Sequence, residues 1–217
     1  MDFDIDFDKY CQTLREFIDS HPLPGLTVHM QLAPQGRIDA HYRSVPDGAR
    51  RAAVLILLYQ RESEIHIPLI RRTKSGDHHS GQIALPGGAH EDNESYPIET
   101  ALREAQEEID IHPQQVTVLG VLSPLFIPVS NFSVAPVVAC THQLPELRPQ
   151  PSEVEEILHI PLGEILQPPQ EGVFHSSRGD LIAPYYNSLH GRIWGATAML
   201  LNEFVYVHTT VDSQLKL

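Results

Sequence analysis

Residues 52–59, Ala-Ala-Val-Leu-Ile-Leu-Leu-Tyr, form an unbroken apolar run. A strand with one wet face alternates apolar and polar side chains, so a run without alternation reads as a strand buried on both faces. Its neighbour Ile65-His-Ile-Pro-Leu-Ile70 does alternate, and Pro68, which lacks an N–H, points to an edge or a bulge there. Further strands are expected at Val116–Leu122 and Val134–Ala139, with shorter ones at Glu153–Ile160 and Asp180–Ala183. Helical spacing occurs over 7–19 (Phe7, Tyr10, Cys11, Leu14, Phe17, Ile18), near 96–109, and over Trp194–Phe204. Strands and helices mix without strict alternation, which predicts a mixed-sheet α/β domain rather than a doubly wound one.

The breaker cluster His21-Pro-Leu-Pro-Gly25 should end the first helix. Residues 1–49 then read as a helix and an irregular or extended arm, and residues 50–210 as the main domain. At 217 residues a single core is affordable without staples. The two cysteines, Cys11 and Cys140, have no paired spacing, which argues against a disulfide scaffold or a cysteine zinc site and fits a reducing cytoplasm. No histidine spacing suggests zinc either. The acidic opening Met1-Asp-Phe-Asp-Ile-Asp disfavours a secretory signal, and no apolar run approaches bilayer-spanning length.

The net charge is −13, and only Lys9, Lys74 and Lys216 are lysines. A general nucleic-acid binder needs a basic surface, and so does electrostatic attachment to an anionic membrane; neither partner is expected. An anionic small molecule held through metal ions is not excluded, and one segment points that way. In Ala101-Leu-Arg-Glu-Ala-Gln-Glu-Glu-Ile109, the residues Ile98, Ala101, Leu102, Ala105 and Ile109 make one helix stripe. Glu104, Glu107 and Glu108 share another face. Glu104 and Glu108 are a like-charge i,i+4 pair, which a hard divalent cation neutralises; Mg²⁺ favours one or two carboxylates plus substrate phosphates. Arg103 can brace the acids by bidentate pairing. Upstream, Ser95 is a natural cap, Pro97 suits a first turn, and the turn Pro86-Gly87-Gly88 lets backbone approach closely.

These residues resemble the box of the Nudix hydrolases, G-x5-E-x7-R-E-U-x-E-E-x-G-U. Gly88, Arg103, Glu104, Ala105, Glu107, Glu108 and Ile111 match it. The interval from Gly88 to Arg103 is one residue longer than in the general box, which moves the isolated acid to Glu94, and Asp110 replaces the late glycine. The coenzyme A pyrophosphatase branch has this longer spacing. Its upstream motif is similar to Leu69-Ile-Arg-Arg-Thr73 and Gly81-Gln-Ile-Ala-Leu-Pro-Gly-Gly88, with Arg72 at the first arginine and Asp77 where the second would stand. Similarity extends over about residues 50–205.

The resemblance implies an α/β/α sandwich with a mixed sheet and hydrolysis of a nucleoside diphosphate derivative, coenzyme A or its thioesters first. It implies Mg²⁺ or Mn²⁺ on Glu104, Glu107 and Glu108, with the Gly87 carbonyl as a further ligand. Glu107, Arg103 and Glu104 are then the catalytic set, with Glu153, Glu155 and Glu156 as other candidates for the general base. Arg72, Gly81, Gln82 and Gly88 would contact substrate. ADP-ribose or a dinucleotide polyphosphate is the alternative substrate, a non-enzymatic ligand sensor the remote one. Trp194 reads as core packing. The helix over 7–19 could pack on its own domain or, in a homodimer, on a second subunit.

Overall fold

The computed structural model describes residues 6–36, 42, 45–73, 81–143, 146–176 and 179–215. The apolar run lies in strand β1 (Arg50–Arg61), at the middle of a sheet ordered β3-β2-β1-β7-β5. β2 is Glu64–Arg72, β3 Ile83–Ala84, β4 Gly87–Ala89, β5 Thr117–Val121, β6 Leu125–Ile127, β7 Phe132–Thr141 and β8 Val154–Pro161. β1 and β7 run parallel from Arg50↔Phe132 to Tyr59↔Thr141, and the other pairings are antiparallel, so the sheet is mixed.

Both faces of β1 are covered. Ala53, Leu55 and Leu57 pack with Ala101, Ala105 and Ile109 of helix α3 (Ile98–Ile109). Ala52, Ile56 and Leu58 pack on the opposite side with helices α1 (Phe7–Ser20) and α5 (Gly195–Leu215). Leu55, Ile56, Leu57 and Leu58 are fully buried, each contributing roughly 1.5–3 kcal/mol relative to exposure. Pro68 is neither on an outer edge nor at a bulge. It pairs with His159 of β8, beyond the Tyr59↔His66 pair where the β1–β2 ladder ends, and the register shift falls later, at Arg71/Arg72.

A second, three-stranded antiparallel sheet is made by β9 (Gln170–Ser176), β10 (Gly179–Ser188) and β11 (Gly191–Trp194), reached from β8 through the single turn α4 (Leu162–Ile165). The last helix extends well past the expected Phe204. Within residues 21–49, expected to be irregular or extended, 26–32 coil instead into the turn α2 (Leu26–His29) and a 3-10 turn, Met30–Leu32. Leu32 and Ala33 join the same core as α1, α5 and the sheet. Cys11 and Cys140 are free and buried. No helix among the described residues is long and apolar enough to cross a membrane.

One polar knot fastens the N-terminal segment to α5. Glu203 is fully buried, and its carboxylate accepts from Gly25 N (2.8 Å) and Ser123 N (2.9 Å) and lies 3.1 Å from His29 Nε2. Next to it, Asn202 Nδ2 donates to the Val28 carbonyl at 2.8 Å, and its Oδ1 accepts from the Tyr186 hydroxyl at 2.8 Å. Glu203→Ala leaves two backbone donors and a histidine unpaired in the core. It should cost about 3–5 kcal/mol in denaturant unfolding, whereas Glu203→Gln, which keeps an acceptor, should cost less. A loss within about 0.5 kcal/mol for the alanine variant would show that the knot is not structural.

Candidate functional site

Helix α3 owes its position to its apolar stripe: Ala101, Ala105 and Ile109 are fully buried against β1 and β7, with Leu102 half-buried. Its start differs from the sequence reading. Pro97, not Ser95, is the cap residue, while Ser95 contributes backbone: its carbonyl accepts from Glu99 N (3.0 Å) and its N–H donates to the Glu99 carboxylate (2.6 Å). The helix ends at Asp110, φ 59°, whose N–H bonds to the Gln106 carbonyl. That left-handed conformation explains why the motif prefers glycine there; aspartate is among the few other residues that visit it.

Strand β4 runs beside β1 (Ala52↔Ala89, Ala53↔Gly88, Val54↔Gly87) and brings the two glycines under the acidic face of α3. Gly87 has φ +153°, and a Cβ on it would lie 2.6 Å from Val54 Cα. Its N–H donates to Glu108 Oε2 at 2.8 Å. At Gly88 a Cβ would press into the Glu104 carboxylate. The two glycines therefore make a seat for two carboxylates, one held by an amide and the other accommodated by a missing side chain.

Arg103 gathers the rest. Its Nε and Nη2 donate to the two Glu94 oxygens (3.1 and 3.2 Å), Nη1 donates to Glu107 (3.0 Å), and Nη2 also reaches Glu104 (2.9 Å) and the Ala89 carbonyl (2.9 Å). Glu94 additionally accepts from Glu91 N (2.7 Å) and from the Thr100 hydroxyl (3.1 Å). The acid displaced by the longer spacing thus still anchors the motif arginine.

The electrostatics sort the acids. The Arg103 guanidinium beside Glu94 holds its carboxyl down to about 2. Burial raises Glu104, and burial also pushes Glu108, only 2% exposed, up to about 7 against the Gly87 and Arg72 contacts that favour its charge. The charge of Glu153, at the start of β8, raises both Glu104 and Glu108, so the fold brings this acid close to the pair. Glu107 is 58% exposed and drawn aside to Arg103. Of the other acids considered for the base, Glu156 pairs with Arg71 at 3.3 Å, while Glu155, exposed like Glu153, is not among the charges acting on Glu104 or Glu108.

Among the described residues no three His, Cys, Asp or Glu side chains converge closely enough to enclose a metal by themselves. Two carboxylates raised by burial and by neighbouring acids fit a cation that keeps several waters and takes its remaining ligands from substrate phosphates. Glu104 and Glu108, together with the Gly87–Gly88 turn, have that character, and Glu107 stands beside them on the same helix.

Arg72 approaches Glu108 from β2, its Nη1 4.0 Å from Glu108 Oε1, and is 40% exposed. Its N–H donates to the Gln82 carbonyl and its own carbonyl accepts from Gly81 N, so Gly81 and Gln82 are held beside it. Arg72, Gln82 and Gly87 all line a cavity of about 430 Å³. Its far walls are β6, β7, β10 and the first turns of α5, parts that carried no functional signal in the sequence. Trp194 lines it too, while stacking on Phe174 at 4.2 Å, which joins a wall to the packing role expected for it. Lys74, Asp77, His78 and His79 lie outside the described residues.

A family model described as the NUDIX domain matches residues 49–177. The chain is 37% identical over 156 residues to an uncharacterized Nudix hydrolase NudL of Pectobacterium atrosepticum, covering 71% of this chain and 80% of that relative. It is 36% identical over 163 residues to an uncharacterized Nudix hydrolase NudL of Salmonella paratyphi B, covering 67% and 82%. Among solved structures, a MutT protein from Methanosarcina mazei superposes with a TM-score of 0.49 at 16% identity, covering 80% of this chain and all of that one.

Two outcomes follow from the geometry. Glu108, near 7 in the folded protein against its ordinary 4.5, keeps a proton that the unfolded chain has already released. Its contribution to stability is therefore present below about pH 4.5 and lost as pH rises through about 7. Glu94 works in the opposite sense, its contribution being lost as pH falls toward about 2. In EDTA the denaturation midpoint should fall between about pH 5 and about pH 8, less steeply in Glu108→Gln, and Mg²⁺ should restore it at the upper end; a flat profile in the unsubstituted protein would refute this. Separately, Gly88→Ala should expel the Glu104 carboxylate. We expect a far-ultraviolet spectrum like that of the parent and at least about tenfold weaker Mg²⁺ binding by calorimetry.

Proposed function

The chain belongs to the Nudix hydrolases, enzymes that cleave pyrophosphate bonds of nucleotide-derived small molecules with divalent metal ions, and on that premise we propose that its substrate is coenzyme A or a coenzyme A thioester. The products would be adenosine 3′,5′-bisphosphate and 4′-phosphopantetheine or its acyl form. The observation that carries this reading is the contact of Arg72 with Glu108. It joins the motif Leu69-Ile-Arg-Arg-Thr73, which resembles the coenzyme A branch, to the acidic helix itself.

In this reading Glu104 and Glu108 hold Mg²⁺ or Mn²⁺, with Glu107 and the Gly87 carbonyl available to complete the set. Bound metal neutralises the diphosphate, orients it and lowers the pKa of an attacking water. Arg72 takes a phosphate oxygen, and Gly81, Gln82 and Gly88 shape the passage beside it. Arg103 holds Glu94, Glu104 and Glu107 at fixed spacing, so that the carboxylates need not rearrange when charge develops. For the general base the surroundings favour Glu153, whose charge acts on Glu104 and Glu108, over Glu107, which is committed to Arg103. Two cysteines without paired spacing fit a cytoplasmic enzyme, and a homodimer remains the assembly considered for it.

A second reading keeps the chemistry and changes the substrate to ADP-ribose or a dinucleotide polyphosphate. Asp77, standing where the branch motif has an arginine, favours it. A panel of coenzyme A, dephospho-coenzyme A, ADP-ribose and diadenosine polyphosphates with Mg²⁺ and with Mn²⁺, products identified by mass, separates the two. Coenzyme A should be cleaved fastest, and Glu104→Gln and Glu108→Gln should fold yet lose about 10²–10⁴-fold in turnover. Faster cleavage of ADP-ribose, with indifference to the 3′-phosphate, would select the second reading.

A further inference from the structure

We propose that the 430 Å³ cavity beside Arg72 is a chamber for the pantetheine arm and its acyl chain, which makes medium-chain acyl-coenzyme A thioesters the preferred substrates over free coenzyme A; this rests on the coenzyme A reading above. The cavity has two chemically distinct ends. One is the site itself, where Arg72 and Gly87 adjoin the carboxylates. Away from them the wall is apolar: Leu125, Val134, Leu181, Trp194, Met199 and Leu200. Among the described residues, Arg72 is the only Lys, Arg, Asp or Glu that lines it.

That lining decides which half of the substrate enters. An adenosine 3′,5′-bisphosphate end brings a second phosphate and a ring edge that needs convergent polar partners. Among the described residues the chamber's lining holds no Lys or Arg beyond Arg72, and its polar side chains are largely engaged. Ser130 Oγ donates to the Ile127 carbonyl at 3.4 Å, and His175 Nδ1 lies 2.7 Å from Asp180 Oδ1. An acyl chain needs only apolar wall. Its volume lies in the range of small-molecule sites, about 300–1,000 Å³, and far exceeds a packing void. With the diphosphate pinned at Arg72 and the acidic helix, the arm that follows it into the chamber is the pantetheine one.

The test separates this inference from the reading it rests on. Each buried methylene favours binding by about fourfold, so octanoyl-coenzyme A should exceed coenzyme A in kcat/KM by at least about tenfold. Leu181→Trp, on a half-buried strand position, and Ala196→Phe, at the first turn of α5, narrow the chamber from two sides. In both, the octanoyl preference should fall to within about twofold of unity. Octanoyl-pantetheine, which has no diphosphate, should bind the full chain in EDTA by calorimetry, more weakly in both variants, and should not be displaced by adenosine 3′,5′-bisphosphate. Coenzyme A cleavage with no octanoyl preference, or displacement of octanoyl-pantetheine by the bisphosphate, would overturn the chamber assignment alone. Cleavage of ADP-ribose with no cleavage of any coenzyme A species would overturn the substrate reading and the chamber with it.

Discussion

A carboxylate that is almost wholly out of water has to be held by something, and Glu108 is held by a single backbone amide, that of Gly87. This bond ties the acidic helix to β4, and β4 is tied to the central strand β1 by its register with Ala52, Ala53 and Val54. The arrangement works only because β1 is apolar on both faces. Its odd-numbered side chains, Ala53, Leu55 and Leu57, bury the apolar stripe of α3 and so fix the height and rotation of the helix. The glycines then have a geometric duty: any side chain at 87 collides with β1, and one at 88 evicts Glu104.

The same geometry gives meaning to the chain's excess of acid. A net charge of −13 repels an anionic ligand at long range. Placing two of the acids at a buried seat reverses the local effect, since the cost of keeping Glu104 and Glu108 ionised and close is relieved only by a cation. Arg103 supplies part of that relief but shares it among Glu94, Glu107 and Glu104. Arg72 approaches Glu108 as well, yet burial still raises both carboxyls, so the inner pair keeps a demand for positive charge that a divalent ion can meet.

How much of this was legible beforehand depended on whether the determining contacts are local. The strand at 52–59 and the helix through Glu104–Glu108 were readable because hydrophobic period is a local property, and the acids share a face by helix geometry alone. The role of Glu94 was half-legible: its offset from the general box was visible, but only the folded loop shows both its oxygens on Arg103. Pro68 was legible in part: it falls between the β1–β2 pairs, which end at His66, and the β2–β3 pairs, which begin at Ile70, so it is a local edge within the sheet, paired only with β8. Glu153 could not be ranked above Glu155 or Glu156, since its nearness to Glu104 depends on β8 pairing with β2 some eighty residues upstream. The cavity had no sequence signal, as its walls come from β6, β7, β10 and α5, each reading as ordinary core.

Through α5, the N-terminal segment bears on the shape of this cavity. The first turns of α5 form one wall of the cavity, and a wall is useful only if it keeps its distance from the sheet opposite. Two turns further on, Glu203 and Asn202 tie the helix to Gly25, Val28 and Ser123, so the N-terminal chain acts as a strut against α5. Tyr10 makes a second tie from α1, its hydroxyl 2.8 Å from His208 Nδ1. A polar strut suits this task because a buried carboxylate with several donors has one good position, whereas apolar side chains of similar size can repack. Of the partners in these ties only Ser123 lies within the 49–177 span that the NUDIX domain model matches; Tyr10, Gly25, Val28, Asn202, Glu203 and His208 lie outside it. Relatives sharing that domain but lacking such struts would be free to close the same space.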